Sequence, residues 1–451
     1  MTVSASAPSA TLRAHSYFVD GLAQHSDSPL GSELPTTPAD FLSRLATSGI
    51  TAWVRGHSGL VGWGECTRIE TAGPDRFAAA DAAWRQLVAA GSVRDEVRLP
   101  GSGAIAFGSF TFADDSEQSS VLIVPRLLLG RYQGRVWLTV MSLTTDEAAA
   151  TANPLNSHRP LSQHNPLRKP EAVTVRTGSL DEAGWQDAVV RVVERLRAGD
   201  AEKAVLARDV FARAAEPIDV RYVLGVLNAT YPSCWTFHID GLLGATPELL
   251  ISSHRGEVRS RVLAGTYRTT GDRDADVDAA RVVLSAHKDS SEHRYAIDSL
   301  TAALRPLCST LDVDPEPFML ELANVIHLAS DAHGELTQDA DGSRPSSLAV
   351  AATVHPTAAV GGTPTGDAVR IIADEEGMDR GRYSGPVGWM DGNGDGEWAI
   401  ALRCGQFTSE ARDELRLFAG CGIVADSEPG SELEESTAKL APMLSGLGVE
   451  M

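Results

Sequence analysis

A chain of 451 residues that is 43% hydrophobic, 22% charged and 6% aromatic has a globular composition and can bury a large core. Its formal net charge of -21 repels phosphate backbones and anionic lipid, which argues against nucleic-acid and membrane partners, and an anionic ligand would need local cations or a divalent metal. The five cysteines (Cys66, Cys234, Cys308, Cys404 and Cys421) are odd in number and never in CxxC spacing. They fit reduced thiols in a cytoplasm rather than a disulfide framework or a zinc site.

Residues 1–15, small and polar without an apolar signal core, are expected to form a flexible tail, and 16–451 a single domain. No apolar run approaches transmembrane length. Residues 16–150 read as strand-rich. TAWVRGHSGLVGWGE alternates on both sides of Gly56–Gly59 as a hairpin does, AAADAAWRQLVAA reads as a helix, and GSGAIAFGSFTF and SVLIVPRLLLGRYQGRVWLTVMSL read as strands. Four prolines among 151–175 mark a surface linker, and 176–451 follows as the motif-bearing portion. There, Ser179 with Glu182 predicts a capping box, ahead of a helix through Trp185, Val189, Val192, Val193 and Leu196 that Gly199 stops. KAVLARDVFARA predicts a strand from Lys203, two or three strands follow over 234–268, and 276–311 is expected to be mostly helical. Adjacent strands mixed with helices, without a βαβ rhythm, predict an α+β fold with mainly antiparallel sheets.

Two glycine-rich stretches are decoys. GSGAIAFG at 101–108 has the wrong spacing for a dinucleotide loop and precedes a strand. DGNGDG at 391–396 has Leu402 where a calcium loop needs its bidentate Glu, and is better read as a hairpin turn.

The last helix, predicted over Pro429–Leu444, carries Glu428, Glu432, Glu435 and Lys439 on one stripe, with Leu433, Thr437, Leu440 and Leu444 nearly opposite. From periodicity alone this is an ordinary amphipathic helix with its polar side in water. LSAHKDSSEHRYA puts Asp289, Glu292 and His293 on one helix face, which by itself reads the same way. The functional alternative is that both faces border one cleft and supply carboxylates to a hard cation such as magnesium.

Read in order, KAVLAR, GATPELL, LAGTYR, LSAHKDSSEH, NVIHLAS, VHPTAAVGGTP, GRYSGPVGW, EWAIALRC, LFAGCGIVADSEP and ELEESTAKL resemble the motif series of the chorismate-binding enzymes. The likeness runs from about 180 to 445 and is diffuse before that, through GLVGWGE and FGSFTF. It implies one large α+β fold like that of anthranilate synthase component I, with layered antiparallel sheets flanked by helices and the site between its halves. It also implies roles. Lys203 matches the general base that activates water, and Glu248 the general acid that protonates the departing 4-hydroxyl. Glu292 and Glu435 match ligands of Mg²⁺, with Glu432 close by through metal-bound water and Asp289 behind them. Arg403 matches a clamp on a substrate carboxylate, and Lys439 a further cationic contact. Thr266, His327, Thr363 and Tyr383 belong to the matching substrate pocket, and Gly265, Gly420 and Gly422 let backbone approach the ligand.

Taken alone, each of these residues has an ordinary reading: Lys203 as a solvated strand-edge charge, Glu248 as a turn residue, His327 as a hydrogen-bonded core histidine, Arg403 in a buried ion pair. The ordered series favours the functional one. Within the family, Lys203 separates the chain from the ammonia-adding members, and the run from YSGPVGW to LFAGCGIV looks like the isochorismate synthases rather than the salicylate synthases, which share that lysine. Salicylate synthase, which goes on to eliminate pyruvate, is the alternative, and a silent chorismate-binding protein a further one. The implied partner is chorismate, with no obligatory glutaminase; a cytoplasmic monomer is expected, its product feeding menaquinone or siderophore synthesis. Arg261 and Val262 depart from the pattern, since many relatives have an acidic residue and Pro before LAGT.

Overall fold

The computed structural model describes residues 11–19, 48–144, 165–270, 272–284, 287–321 and 325–449, without the side chains of 264, 266, 268, 284 and 287–292. The N-terminal portion runs β1 (Thr11–Phe18), β2 (Ile50–Arg55), β3 (Ser58–Thr71), α1 (Arg76–Ala89), β4 (Ser92–Asp95), β5 (Ile105–Ser109), β6 (Ser120–Tyr132) and β7 (Arg135–Thr144). Then come β8 (Thr174–Thr177), α2 (Glu182–Ala198), β9 (Lys203–Arg213), α3 (Val220–Thr230), β10 (Trp235–Ile239), β11 (Leu242–Thr246), β12 (Leu249–His254) and β13 (Glu257–Arg268). Two helices follow, α4 (Arg273–Leu284) and α5 (His287–Leu304), ahead of β14 (Cys308–Val313), β15 (Phe318–Glu321) and β16 (Val325–Leu336). The chain closes with α6 (Ser347–Val354), β17 (Gly362–Thr363), α7 (Thr365–Glu375), β18 (Pro386–Asp391), β19 (Gly396–Ile400), β20 (Cys404–Phe407), β21 (Glu414–Ile423) and α8 (Pro429–Gly446).

These strands join into one hydrogen-bonded network that branches at β6, which pairs with β3, β5 and β7. One arm continues from β3 through β2, β10, β11, β20 and β21 to β9; the other runs from β5 through β18, β19, β12 and β13 to β16. Among the described residues every pairing is antiparallel except β1 with β4. Period-two alternation sorts side chains between two cores. On the first arm Trp235, Phe237, Ile239 and Leu242 meet Leu249, Ile251, Val258 and Trp398 of the second arm in the larger core. Leu243, Ala245, Leu415 and Leu417 turn the other way, onto α3 and the C-terminal half of α8. Among the described residues no helix is long and apolar enough to cross a membrane.

Three expectations are corrected. The tail expected over 1–15 gives way at Thr11 to β1, whose alternating residues bury Leu12 and Ala14 between β4 and β7. The cap of α2 is Asp181, whose Oδ1 accepts from Gly184 N at 2.8 Å, while Ser179 turns back to Asp209. The helical stretch ends by Leu307; Cys308–Val313, rich in β-branched and hydroxyl side chains, pairs with β16 instead. At the departure noted before LAGT, Arg261 stands opposite Asp331 across β13 and β16 and donates to both its oxygens, at 2.6 and 2.7 Å.

Candidate active site

Two of the passages of the chain between the arms each deliver a candidate residue. Glu248 sits where β11 leaves the first arm for β12 of the second, and Arg403 where β19 of the second arm returns to β20 of the first. The two passages are tied together, since Ile400 N donates to the Glu248 carbonyl at 3.1 Å and Ala245 N to that of Arg403 at 3.2 Å. They border a cavity between the arms that is also lined by Gly265 of β13, His327 of β16, Tyr383, Gly420 and Gly422 of β21, and Lys439 of α8.

Lys203 opens β9 and is fully buried, at 0% exposure, so its reading as a solvated edge charge does not hold. It shares a strand face with Val205, which is on the cavity wall. Its backbone partner across β17 is Thr363. Neither Lys203 nor Thr363 is itself on that wall. Burial pushes the Glu248 carboxyl up to about 8, against the opposing pull of Lys203, Lys439 and Arg403. Glu248 is therefore largely protonated near neutral pH, with the cationic Lys439 and Arg403 within electrostatic reach.

Arg403, held at a φ of 48°, is buried, and its Nη2 donates to His327 Nε2 at 3.3 Å. A guanidinium only donates, so His327 accepts at Nε2 and donates from Nδ1 to the Gly265 carbonyl at 3.0 Å. Among the described residues the partner of Arg403 is thus this histidine, and no carboxylate forms an ion pair with it. Gly265 stands at a β-bulge with a φ of 77°, which only glycine adopts freely, and that bulge offers its carbonyl to the ring. Tyr383 stacks on Phe418 with ring centroids 4.9 Å apart, and burial pushes its hydroxyl up to about 12.

Pro429 opens α8 and Glu432 lies in its first turn, both suited to a helix N-terminus. The acidic stripe of this helix does not simply face water: Glu432 is 1% exposed. Glu435 accepts from Lys439 Nζ at 2.5 Å, and Lys439 also donates to the Gly420 carbonyl at 2.9 Å. Burial would lower the Lys439 pKa, but Glu435 and Cys421 together pull the other way and the net shift is upward. Burial, then Glu435 and Glu432, push up the thiol of Cys421, which lines the cavity. Neither Glu432 nor Glu435 is itself on that wall; both stand near Cys421, which is, and Glu435 holds Lys439, which is too. Their hard oxygens suit a hard cation. Among the described residues no three His, Cys, Asp or Glu side chains gather as a metal site. The side chains of Thr266, Asp289 and Glu292 lie outside the described residues.

Sequence reasoning missed Cys421 and Ser384 as wall residues. Both fall inside motifs of the resemblance, GCGIV and YSGP, whose glycines and tyrosine are the residues it assigns to the pocket. The signal for Ser384 is conformational, a φ of 62°, which no sequence pattern announces.

The model of the family described as "Chorismate binding enzyme" matches residues 38–448. Isochorismate synthase DhbC of Bacillus subtilis is 38% identical over 277 residues, covering 59% of this chain and 68% of that one. Isochorismate synthase MenF of the same organism is 31% identical over 363 residues, covering 77% of this chain and 75% of its own. The solved structure of MenF, the menaquinone-specific isochorismate synthase from Escherichia coli, superposes with a TM-score of 0.76 at 22% identity, over 97% of this chain and 95% of that one.

Proposed function

This chain belongs to the chorismate-binding enzyme family, and from that membership we propose that it is a magnesium-dependent isochorismate synthase. The observation that carries the choice of chemistry is the buried Glu248 carboxyl, raised to about 8 by burial while Lys203, Lys439 and Arg403 act on it. An acid held protonated beside cations suits a dianion with a poor leaving group.

Water is a weak nucleophile and hydroxide a weak leaving group. In the proposed reaction the Lys203 amine takes a proton as water oxygen bonds to C2 of the ring. The double bonds shift, the C4–O bond breaks, and Glu248 gives its proton to the departing oxygen, which leaves as water. A base and an acid so placed each contribute about 10²–10⁴-fold. Arg403, oriented by His327, holds one substrate carboxylate in its fork, and Lys439 adds a second cationic contact. Glu432 and Glu435, together with Glu292, would hold Mg²⁺, and Asp289 would support them. When bound, the metal would neutralise and orient the ring carboxylate.

The test is incubation of purified protein with chorismate and Mg²⁺, with and without ammonia, followed by product chromatography. Isochorismate alone is expected. Salicylate with pyruvate would replace this reading by the two-step lyase reaction, an ammonia-dependent product would overturn both, and unreacted chorismate would leave a silent binding protein.

A further inference from the structure

Lys203 and the carboxylates of α8 belong to different elements, so something must fix one against the other. The C-terminal half of α8 is held by apolar burial of Leu440, Met443 and Leu444. The N-terminal half, which carries Glu432 and Glu435, has Leu433 as its apolar contact with the α2 side of β9. It is tied there by Arg208.

Arg208 lies on β9 five residues beyond Lys203, on the opposite strand face, and is 6% exposed. Its Nε donates to Ser436 Oγ at 2.8 Å and its Nη2 to Thr437 Oγ1 at 2.7 Å. Both hydroxyls spend their own protons on the Leu433 carbonyl, each at 2.8 Å, which turns their lone pairs outward to the guanidinium. The planar fork of arginine thus reads two consecutive residues of the helix, directly after Glu435. Across β9 and β21, Arg208 is level with Ala419. Next along is Gly420, whose carbonyl takes Lys439. Burial lowers the Arg208 pKa while Glu182 pulls against it, and burying a guanidinium whose hydrogen bonds go to hydroxyls is a costly way to pack a helix, since an aliphatic side chain would serve packing alone.

We propose that Arg208 is a positioning residue, which sets the rotation of the N-terminal half of α8 against β9 and so places Glu432, Glu435 and Lys439 relative to Lys203. The inference rests on the functional reading above and deepens it. It separates two anchors of one helix: an apolar one that holds α8 to the fold, and a polar one that aims it. Loss of the second should therefore disturb cation binding far more than folding.

The experiment compares Arg208→Met, Arg208→Lys, Ser436→Ala/Thr437→Val and the combined triple variant. Mg²⁺ affinity is measured by calorimetric titration of metal-stripped protein, melting in EDTA, and KM and kcat with chorismate. Arg208→Met is expected to weaken Mg²⁺ binding about 10–100-fold, the usual cost of removing a group that orients metal ligands. Its melting midpoint should stay close to that of the parent, and Arg208→Lys should recover part of the loss. The triple variant should be no worse than Arg208→Met, because all three residues act through one contact. Unchanged Mg²⁺ affinity and kcat in folded Arg208→Met, or additive effects in the triple variant, would overturn the proposal. Should Arg208→Met not fold, the hydroxyl pair variant carries the test: weakened Mg²⁺ binding supports the proposal and unchanged binding sinks it. Parent protein that neither binds Mg²⁺ nor converts chorismate defeats the functional reading itself, before any variant is compared.

Discussion

Lys203 and Glu248 are asked for opposite tasks, and both are buried. Replacing Lys203 by Gln keeps most of the side-chain volume and removes the base. Turnover is expected to vanish while chorismate still binds, measured by calorimetry beside a product assay; retained turnover would refute the assignment. For Glu248 the sign of the pH effect is fixed by burial. An acid raised from 4.5 to about 8 is lost as pH rises through that value, so kcat/KM should fall on the alkaline side near pH 8. Glu248→Gln should lower kcat about 10²–10⁴-fold and abolish that alkaline limb. Neither role was legible from local sequence, where a lysine opening a strand and a glutamate after a proline both look like surface residues. Resemblance proposed them, and burial, which depends on elements far apart in the chain, decides how each side chain can behave.

At the scale of elements, β9 and α8 were the most legible parts of the site. An apolar strand beginning at Lys203 and an acidic stripe at helical spacing follow from local sequence. Which way the stripe faces does not, because that depends on β21 and α2 packing against it. The middle of β9 was less legible still. Between β17 at its start and β8 at its end, its open edge is filled by side chains. Arg380 donates to the Val205 carbonyl at 2.6 Å, Glu376 accepts from Ala207 N at 2.7 Å, and Trp185 donates to the Ala207 carbonyl at 3.1 Å. At its start the strand depends on one glycine. Gly362 has a φ of 140°, and a Cβ there would fall 2.1 Å from the Lys203 carbonyl oxygen. Gly362→Ala should destabilise the fold by about 1–3 kcal/mol, the range for backbone strain. By shifting Lys203 it should lower kcat more than it raises KM. A melting curve and a kinetic split check both.

For the whole molecule, several buried acids shape the pH dependence of stability. Glu248 at about 8 and Asp391 at about 7 are both raised by burial. A raised carboxyl stabilises the fold below its unfolded value, and that contribution is lost as pH climbs through the folded one. Burial lowers His238 and His355 to about 4, so they cost stability only as pH falls below about 6.5. Between pH 6.5 and 8.5 the carboxyl terms are left, and the melting temperature should decline across that window. Asp391→Asn should flatten the decline if it folds; a rising melting temperature would contradict the burial argument. The α+β class and antiparallel sheets were legible from strand and helix patterning, but the branching at β6 was not, since it depends on which edges of one long strand are claimed by three others.

That branching makes Glu248 and Arg403 the stitches where two arms of one sheet cross. A small dianion gripped by groups from both arms would act as a clasp on the entire chain. Saturating ligand should therefore delay melting everywhere at once, by RT ln(1 + [L]/Kd). It should also slow amide hydrogen exchange in strands such as β12 and β20, whose residues are not on the cavity wall.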